Sequence, residues 1–264
     1  MSEEYFAKLE YTLNNLKTSV DMWWRDDDVR AKHIPFYNFR EQIEYQKYKK
    51  KLKSIIDLLN KYHIPAIFAV IPQDYLEQGS FFTKLFKEKG VFVMLHGLKH
   101  VRQGMAGMPA SEFPQYQEED YIKIMDFYNH FKQIFGNQLL EVFCPPYNNI
   151  NSDLEKKLNE SGLVISSANT PQTPACIYNV DYDFCDWSVH KLKPKEQIIN
   201  ELCALLESGA QTIGINSHHL RLSFEDGDFS FFDKLFSIIN ESQKIRWINP
   251  FASKNIIIDL PKKE

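Results

Sequence analysis

The sequence is short of cysteine and glycine, and these shortages exclude several classes of protein. Its 264 residues contain four cysteines, which lie far apart and form no CxxC pair, so a disulfide framework is not expected. With only 10 glycines and 12 prolines, and without a repeat or a Gly/Ser linker, the chain is neither collagen-like nor of low complexity.

Long apolar runs and an excess of positive charge are also missing. No run approaches the roughly 20 apolar residues that a membrane-spanning helix needs, and the first residues carry two acids where a signal peptide has an apolar segment. The 31 basic and 35 acidic residues give a net charge of −4, which argues against a nucleic-acid partner. We therefore expect a cytoplasmic protein with reduced thiols and no membrane span.

The residues that are plentiful are those of a large buried core, since 44% of the chain is hydrophobic and 14% aromatic. Short apolar runs alternate with amphipathic helical patterns, which predicts an α/β fold with a parallel sheet, open or closed into a barrel. We expect one domain over residues 1–264. The predicted strands are Val20–Trp24, Ala66–Ile71, Val91–Leu95, Leu140–Phe143, Leu163–Ser167, Thr212–Ile215 and Ile245–Ile248.

Polar residues suited to chemistry follow several of these strands, at the edge where α/β barrels build their sites. An acidic triplet, Asp26-Asp27-Asp28, follows the first strand, and His96 and His100 follow the third. Two imidazoles and one carboxylate leave a fourth position open on a metal ion, as in catalytic sites. Each motif also has a purely structural interpretation. The acidic triplet is then solvated charge on a surface loop, and the histidines are buried side chains whose hydrogen bonds are made to neighbouring residues.

Three further motifs follow later in the chain. Ser217-His218-His219 offers a general acid, because imidazole titrates near neutrality. Cys144-Pro-Pro-Tyr147-Asn148 is a rigid turn whose Tyr147 N–H is a candidate oxyanion donor. Asp183-Phe-Cys-Asp186-Trp187 offers a carboxylate to orient a histidine and an indole to line a pocket. His33, His63, His130 and His190 lack such settings and are interpreted as structural.

The order of these motifs resembles the polysaccharide deacetylase superfamily, the carbohydrate esterases of family 4 with NodB homology. The family's five motifs are a paired Asp, H-[ST]-x-x-H, R-x-P-[YF], D-x-x-D-W and L-x-H. This chain matches them with Asp26-Asp27, His96–His100, Cys144–Tyr147, Asp183–Trp187 and Asn216–His218, the third and fifth only in part.

The resemblance implies an irregular (β/α) barrel of about seven parallel strands and a metal-dependent hydrolase that removes an N- or O-acetyl group from a carbohydrate. By the same resemblance, Asp27, His96 and His100 hold the metal, expected to be Zn²⁺. Asp26 is then the general base, His218 rather than His219 the acid, and the Tyr147 N–H the oxyanion donor. Trp187 lines the acetyl pocket, and Asp186 supports the acid or the base.

Three departures from the family pattern bear on this expectation. Cys144 stands where the family has the arginine that pairs with the base, and Arg25 is an imperfect substitute because it and Asp26 point to opposite faces of a strand. Without that cation the pKa of the base should rise and turnover should slow. Asp28 replaces a glycine and is a further ligand or a substrate contact, and Gly97 replaces Ser or Thr.

Two alternatives to an intracellular sugar deacetylase remain open at this stage. One is a carbohydrate-binding member of the same fold that has lost turnover together with the third-motif arginine. The other is a hydrolase of a different C–N bond, such as that of a cyclic amide, which uses the same metal and base. The sequence does not indicate the sugar or the oligomeric state.

Overall fold

A computed structural model describes residues 4–30, 39–76, 80–104, 109–167, 179–222 and 229–252. Strands and helices alternate along most of the chain, as the sequence predicts. In order they are α1 (Glu4–Asn14), β1 (Val20–Val29), α2 (Phe39–Lys61), β2 (Ile67–Val70), α3 (Pro72–Leu76), α4 (Ser80–Lys89), β3 (Phe92–His96), α5 (Glu118–Phe135), β4 (Leu139–Cys144), α6 (Ser152–Glu160), β5 (Val164–Ile165), β6 (Tyr182–Asp183), β7 (Cys185–Asp186), β8 (Lys191–Leu192), α7 (Lys195–Glu207), β9 (Thr212–Ser217), α8 (Ser230–Glu241) and β10 (Ile245–Trp247).

The main sheet is parallel and runs in the order β5-β4-β3-β2-β1-β9-β6, with β10 beside the first residues of β1. At the two ends of this path, the Val180 N–H donates to the Ser167 carbonyl over 3.0 Å, so the sheet curls toward closure. A short antiparallel hairpin of β7 and β8 follows β6. The expectation of an irregular (β/α) barrel with about seven parallel strands is confirmed.

The central strands β1, β2, β3 and β9 are buried on both faces, and the two faces pack differently. On the outer face, Trp24, Phe68 and Val93 belong to one large core that the helices cover. On the inner face, Trp23 and Met94 belong to a smaller cluster made almost wholly of strand residues. Because side chains alternate along a strand, consecutive residues of β1 supply the two cores in turn.

The predicted strand positions agree with the structure, with differences at the ends. Strand β1 continues five residues beyond Trp24 through the acidic triplet, because Asp26 and Asp27 find buried polar partners. Strand β5 covers only Val164–Ile165 of the predicted Leu163–Ser167. Helix α6 begins at Ser152, and Asn151 caps it, since the Asn151 side chain accepts from two backbone N–H groups.

The basic stretch Lys47–Lys53 lies within α2, and Lys47, Lys50 and Lys53 of this stretch are exposed. Cys144, Cys185 and Cys203 are free and buried, while Cys176 and His33 lie outside the described residues. Among the helices that the structure describes, none is long and apolar enough to cross a membrane.

Candidate metal and acid–base site

The end of β1 sends its three consecutive carboxylates to different places. Asp27 shares the inner face with Arg25, two residues before it, as strand alternation requires. Asp26 points to the outer face, toward α2. Asp28 has a positive φ of 65°, which breaks the alternation and turns its side chain back toward the site. Such a conformation is strained for a residue with a Cβ and is typical of functional positions.

Strand β3 ends at His96, and a short turn returns the chain to His100. Gly97 has a φ of 63° and His100 one of 57°, so the turn uses left-handed backbone at both ends. The Gly97 N–H donates to the Cys144 carbonyl over 3.2 Å. This turn brings the two imidazole rings to a centroid separation of 5.0 Å.

Asp28, His96 and His100 form a compact group. Oδ1 of Asp28 lies 3.1 Å from Nε2 of His96 and 3.0 Å from Nε2 of His100. The Nδ1 atom of His96 lies 3.0 Å from the carbonyl oxygen of Cys144, and donation there fixes the tautomer that presents a lone pair at Nε2. Two acceptors, a carboxylate and an imidazole nitrogen, then face each other unless a proton or a cation stands between them.

This donor set fits a divalent metal ion. The ligand atoms of the three residues lie within 4.8 Å of one another, and two imidazoles with one carboxylate are a common catalytic zinc set. His96 is oriented through its second nitrogen by a backbone carbonyl, which is the usual support of a metal-binding histidine. The residues that would hold the ion are therefore Asp28, His96 and His100.

The pKa values of Asp28 and His96 reflect this close contact between carboxylate and imidazole. Burial opposes ionisation of Asp28, yet hydrogen bonds with His100 and His96 hold the pKa of its carboxyl far below the usual range. Burial alone would lower the pKa of His96, but the neighbouring Cys144 group and Asp28 raise it well above its usual value. Without a cation, the carboxylate thus favours the protonated imidazole of His96.

Asp27 is paired with a cation beside this group. Nη2 of Arg25 donates to Oδ2 of Asp27 over 2.9 Å, and Nε lies 2.8 Å from Oδ1 in an ion-pair contact that is not aligned as a hydrogen bond. Nη1 of Arg25 donates to Ser166 Oγ over 2.9 Å, across the inner face. Burial alone would lower the pKa of the guanidinium, but Asp27 outweighs it and raises the pKa.

Cys144, at the third-motif arginine position, is adjacent to the same carboxylate. Its Sγ atom lies 4.0 Å from Oδ1 of Asp27, and the side chain is fully buried. The structure places the Arg25 guanidinium on the inner face with Asp27, two residues further along β1. Arg25 does not contact Asp26, as the alternation of side chains along the strand predicts.

His218 lies on the opposite side of Asp28 from the β3 turn. Its Nε2 atom is 4.0 Å from Oδ2 of Asp28, and its Nδ1 atom is 3.9 Å from Oδ2 of Asp183. The Trp187 ring packs edge-on at 4.4 Å between centroids. Asp183 is itself fixed by donors, the indole N–H of Trp187 at 2.9 Å and the Asn216 amide at 3.1 Å.

Asp26 and His219 form a separate buried pair on the outer face. Oδ1 of Asp26 lies 2.5 Å from Nδ1 of His219, and Ser217 Oγ donates to Oδ2 over 2.5 Å. The Tyr48 ring of α2 packs against the His219 ring at 5.0 Å. Both residues of the pair are fully buried, and the structure does not bring Asp26 into the group of Asp28 and the two histidines.

The remaining predicted site residues lie at the rim. Tyr147 is 39% exposed, with a φ of 60°, and its ring contacts that of His100 at 4.8 Å. Trp187 is 41% exposed and lies in the turn of the β7–β8 hairpin. Asp186 accepts from the backbone and hydroxyl of Ser188, so Asp183 rather than Asp186 approaches His218.

Sequence reasoning did not assign roles to Asp183 or Glu112. Asp183 was visible as the first residue of D-x-x-D-W, but its pairing with Asn216 of β9, which separates it from Asp186, is found only in the structure. Glu112 lies in the long loop after His100, where no motif marks it. It is 2% exposed, and its contacts with the β3 turn are found only in the structure.

Comparison with known proteins gives the same family as the motifs. The family model for polysaccharide deacetylases matches residues 45–166. The resemblance to the polysaccharide deacetylase superfamily is confirmed. No curated protein sequence matches this chain.

Solved polysaccharide deacetylase structures share the fold at low identity. A candidate polysaccharide deacetylase from Mycobacterium smegmatis is 14% identical, with 88% of this chain and 87% of that chain covered and a TM-score of 0.62. The polysaccharide deacetylase Bc1974 from Bacillus cereus is 15% identical, with 87% and 90% covered and a TM-score of 0.52.

The polysaccharide deacetylase fold also occurs without activity. BA3943 from Bacillus anthracis, a pseudoenzyme of carbohydrate esterase family 4, is 11% identical, with 87% of this chain and 62% of that chain covered and a TM-score of 0.53. A mutant of BA3943 has restored enzymatic activity. The fold alone therefore does not decide whether a polysaccharide deacetylase homologue turns over, and the residues of the site must be considered.

Proposed function

We propose that this chain is a metal-dependent deacetylase that hydrolyses an N- or O-acetyl group on a carbohydrate. The observation that carries the proposal is the group of Asp28, His96 and His100, with its ligand atoms within 4.8 Å of one another. A charge-paired carboxylate, Asp27, directly precedes Asp28 on β1, and Nε2 of His218 lies 4.0 Å from Oδ2 of Asp28. Metal ligands, base and acid are thus all available in one place.

The proposed ligands differ from the sequence expectation by one residue. Asp28 takes the place that the resemblance gave to Asp27, because Asp28 is the carboxylate that contacts both histidines. Zn²⁺ suits two imidazole ligands and one carboxylate, and an ion held there would supply Lewis-acid polarisation of the acetyl carbonyl and of water.

Asp27 is the proposed general base, in place of Asp26. Its carboxylate is held by Arg25. Cys144 contacts both Asp27, with Sγ 4.0 Å from Oδ1, and His96, with its carbonyl oxygen 3.0 Å from Nδ1, so Asp27 lies next to the ligand group. Asp26 is unsuited to that role, because it lies on the outer face of the sheet with His219 and Ser217, away from the group of Asp28, His96 and His100.

His218 is the proposed general acid. It transfers a proton to the leaving amine or alkoxide when the bond to the acetyl carbon breaks and acetate forms. The Asp183 carboxylate lies 3.9 Å from Nδ1 of His218, so Nε2 is the nitrogen that faces Asp28 and the ligand group. Trp187 lines the space beside the ring, the Tyr147 N–H is the proposed oxyanion donor, and Asp186 supports the hairpin turn that carries Trp187.

The test compares three single variants of the acidic triplet, Asp26→Asn, Asp27→Asn and Asp28→Asn. Each purified protein is assayed for zinc content and for acetate release from a panel of N- and O-acetylated sugars. We expect Asp28→Asn to lose the metal. Asp27→Asn should keep it and lose roughly 10²- to 10⁴-fold in rate, the usual contribution of a general base. Asp26→Asn should keep the metal and most of the specific activity of its folded fraction.

Each outcome identifies a different role for the triplet. Full activity of Asp27→Asn would refute the assignment of the base. Wild-type protein that binds zinc and acetylated sugars but releases no acetate would instead identify a carbohydrate-binding protein with this fold. If the protein opens a cyclic amide but releases no acetate from the sugars, it is instead the hydrolase of a different C–N bond. The cytoplasmic location expected from the sequence stays a prediction.

A further inference from the structure

Glu112 is a buried carboxylate that the proposed chemistry does not use. Its side chain is 2% exposed and reaches the turn between His96 and His100. Oε2 accepts from the Leu98 N–H over 3.0 Å, and Oε1 accepts from the Lys99 N–H over 2.7 Å. Two successive backbone N–H groups therefore hold one carboxylate, an arrangement that stabilises a buried anion by charge-assisted hydrogen bonds.

Gly97 provides the space that Glu112 occupies. A Cβ atom on Gly97 would lie 2.1 Å from Oε2 of Glu112 and 2.4 Å from Cγ of Pro146. The family pattern H-[ST]-x-x-H has a hydroxyl side chain at this position, and here Glu112 fills the volume beside the turn from another part of the chain. The missing side chain and the buried carboxylate are thus two parts of one arrangement.

The segment that carries Glu112 is fixed on both sides. Before it, Ser111 Oγ donates to the Asn149 carbonyl over 2.9 Å, and the Gln103 N–H donates to the Ser111 carbonyl over 2.8 Å. After it, the Phe113 side chain is 1% exposed, and the Phe113 carbonyl accepts from the Asn151 N–H over 3.0 Å. The carboxylate is therefore presented by a part of the loop that is itself held in place.

We propose that Glu112 is a positioning residue of the metal site, which holds the His96–His100 turn in the conformation that presents His100 to Asp28. With the Gly97 N–H bonded to Cys144, the Glu112 carboxylate completes a set of three consecutive anchored N–H groups in front of His100. These contacts stabilise the left-handed backbone of His100, whose φ of 57° is otherwise strained. The proposal rests on the proposed metal site.

The experiment measures zinc affinity in the absence of substrate, by competition with a chromogenic chelator, for wild type, Glu112→Ala and Glu112→Gln. Loss of the carboxylate should weaken zinc binding by roughly 10- to 100-fold, as for other groups that orient metal ligands. Glu112→Gln keeps the shape but places an NH₂ against one N–H donor, so its affinity should lie between the other two. The visible spectrum of the Co²⁺-loaded protein should change in the same order.

Asn151→Ala is the matched control. Asn151 also accepts two successive backbone N–H groups, those of Asp153 and Leu154, but at the start of α6. This variant should lose stability and keep its zinc affinity within about twofold of wild type, because only stability and not ligand position has changed.

The outcomes separate this inference from the proposed function. A folded Glu112→Ala variant that binds zinc as tightly as wild type would overturn the role of Glu112 and leave the metal site intact. If Glu112→Ala does not fold, an unchanged zinc affinity of Glu112→Gln overturns the role and a weakened one supports it. If wild type takes up no zinc, the metal site fails, and the inference fails with it.

Discussion

The buried pair of Arg25 and Asp27 gives the sharpest energetic prediction. Arg25 is 0% exposed and the Asp27 side chain 5%, so each charge depends on the other for its solvation. We consider three variants treated with chelator to remove bound metal: Arg25→Met, Asp27→Leu and the double substitution. Each single variant leaves one buried charge without its partner, whereas the double variant leaves an apolar contact.

The magnitude follows from the geometry. Two unit charges 2.8 Å apart attract by about 6 kcal/mol at an effective dielectric constant of about 20. Most of that energy offsets the removal of both groups from water. Breaking a buried pair from one side therefore costs about 3–5 kcal/mol, while replacing both partners by apolar groups is often close to neutral. Arg25→Met also removes the donor to Ser166, which adds about 1 kcal/mol.

The assay is equilibrium urea unfolding followed by tryptophan fluorescence. Trp23 and Trp24 precede Arg25 on β1 and are fully buried, so their emission reports on this strand. We expect the double variant to be more stable than either single variant, with a coupling free energy of at least about 2 kcal/mol. If the free-energy changes of the two single variants add up to that of the double variant, the view that the two charges depend on each other is refuted.

An exposed pair of the same residue types serves as the control. Arg246 contacts Asp21 through Nε at 2.8 Å and Nη2 at 2.7 Å, but the Arg246 side chain is 72% exposed. The same cycle there should give a coupling of about 1 kcal/mol or less, because water screens the charges. Equal couplings for the two pairs would show that burial is not the cause.

Three further predictions concern other parts of the molecule. Gly97→Ala should lower the free energy of unfolding by more than about 1 kcal/mol, measured by urea denaturation, because a Cβ there meets Glu112 and the φ is positive. His219→Phe should destabilise the protein by about 2–4 kcal/mol and leave its zinc content unchanged, whereas His218→Gln should keep zinc and stability but lose deacetylation. Burial raises the pKa of Cys185 to about 12, so mass spectrometry should show that iodoacetamide at pH 8 alkylates it only after unfolding; rapid alkylation of the native protein would contradict this.

The barrel could be predicted because its signal is local. Runs such as Ile67–Val70 and Phe92–His96 are buried on both faces, and the stripe of Leu52, Ile55, Ile56 and Leu59 fixes the inner side of α2. A parallel sheet is the arrangement that covers such strands on both faces. The predicted ends of β1 and β5 were less accurate. Strand β1 continues through the acidic triplet because Asp26 contacts Ser217 and His219 and Asp27 contacts Arg25, and these pairings cannot be read from a local pattern.

The direction of each carboxylate in the triplet could not be predicted from its order alone. Strand alternation separates Arg25 from Asp26, and the same rule brings Arg25 beside Asp27. Regular alternation would then send Asp28 to the outer face with Asp26. The left-handed backbone of Asp28 prevents this, and its one sign in the sequence is that Asp28 stands where the family pattern has glycine, the residue that favours positive φ.

The two adjacent histidines after β9 show a similar division. His218 faces Asp28 and Asp183, whereas His219 lies behind the sheet with Asp26. Two adjacent residues at the end of a strand are expected to point to opposite faces, but the sequence alone does not tell which of the two histidines faces the site. The partner that decides it for His219 is Asp26, which lies 193 residues away in the chain.

The position of Arg25 favours a site that keeps a charged carboxylate. A guanidinium that is 0% exposed is stable only while an anion and other acceptors surround it, and the Asp27 carboxylate with Ser166 provides them. The Cys144 side chain on β4, with Sγ 4.0 Å from the same carboxylate, is small and leaves space for the Arg25 guanidinium. If the site had lost its need for an ionised Asp27, apolar side chains at positions 25 and 27 would be at least as stable as the ion pair. The inner face instead holds a buried cation whose charge requires Asp27 to remain an anion, which is the state that a general base needs.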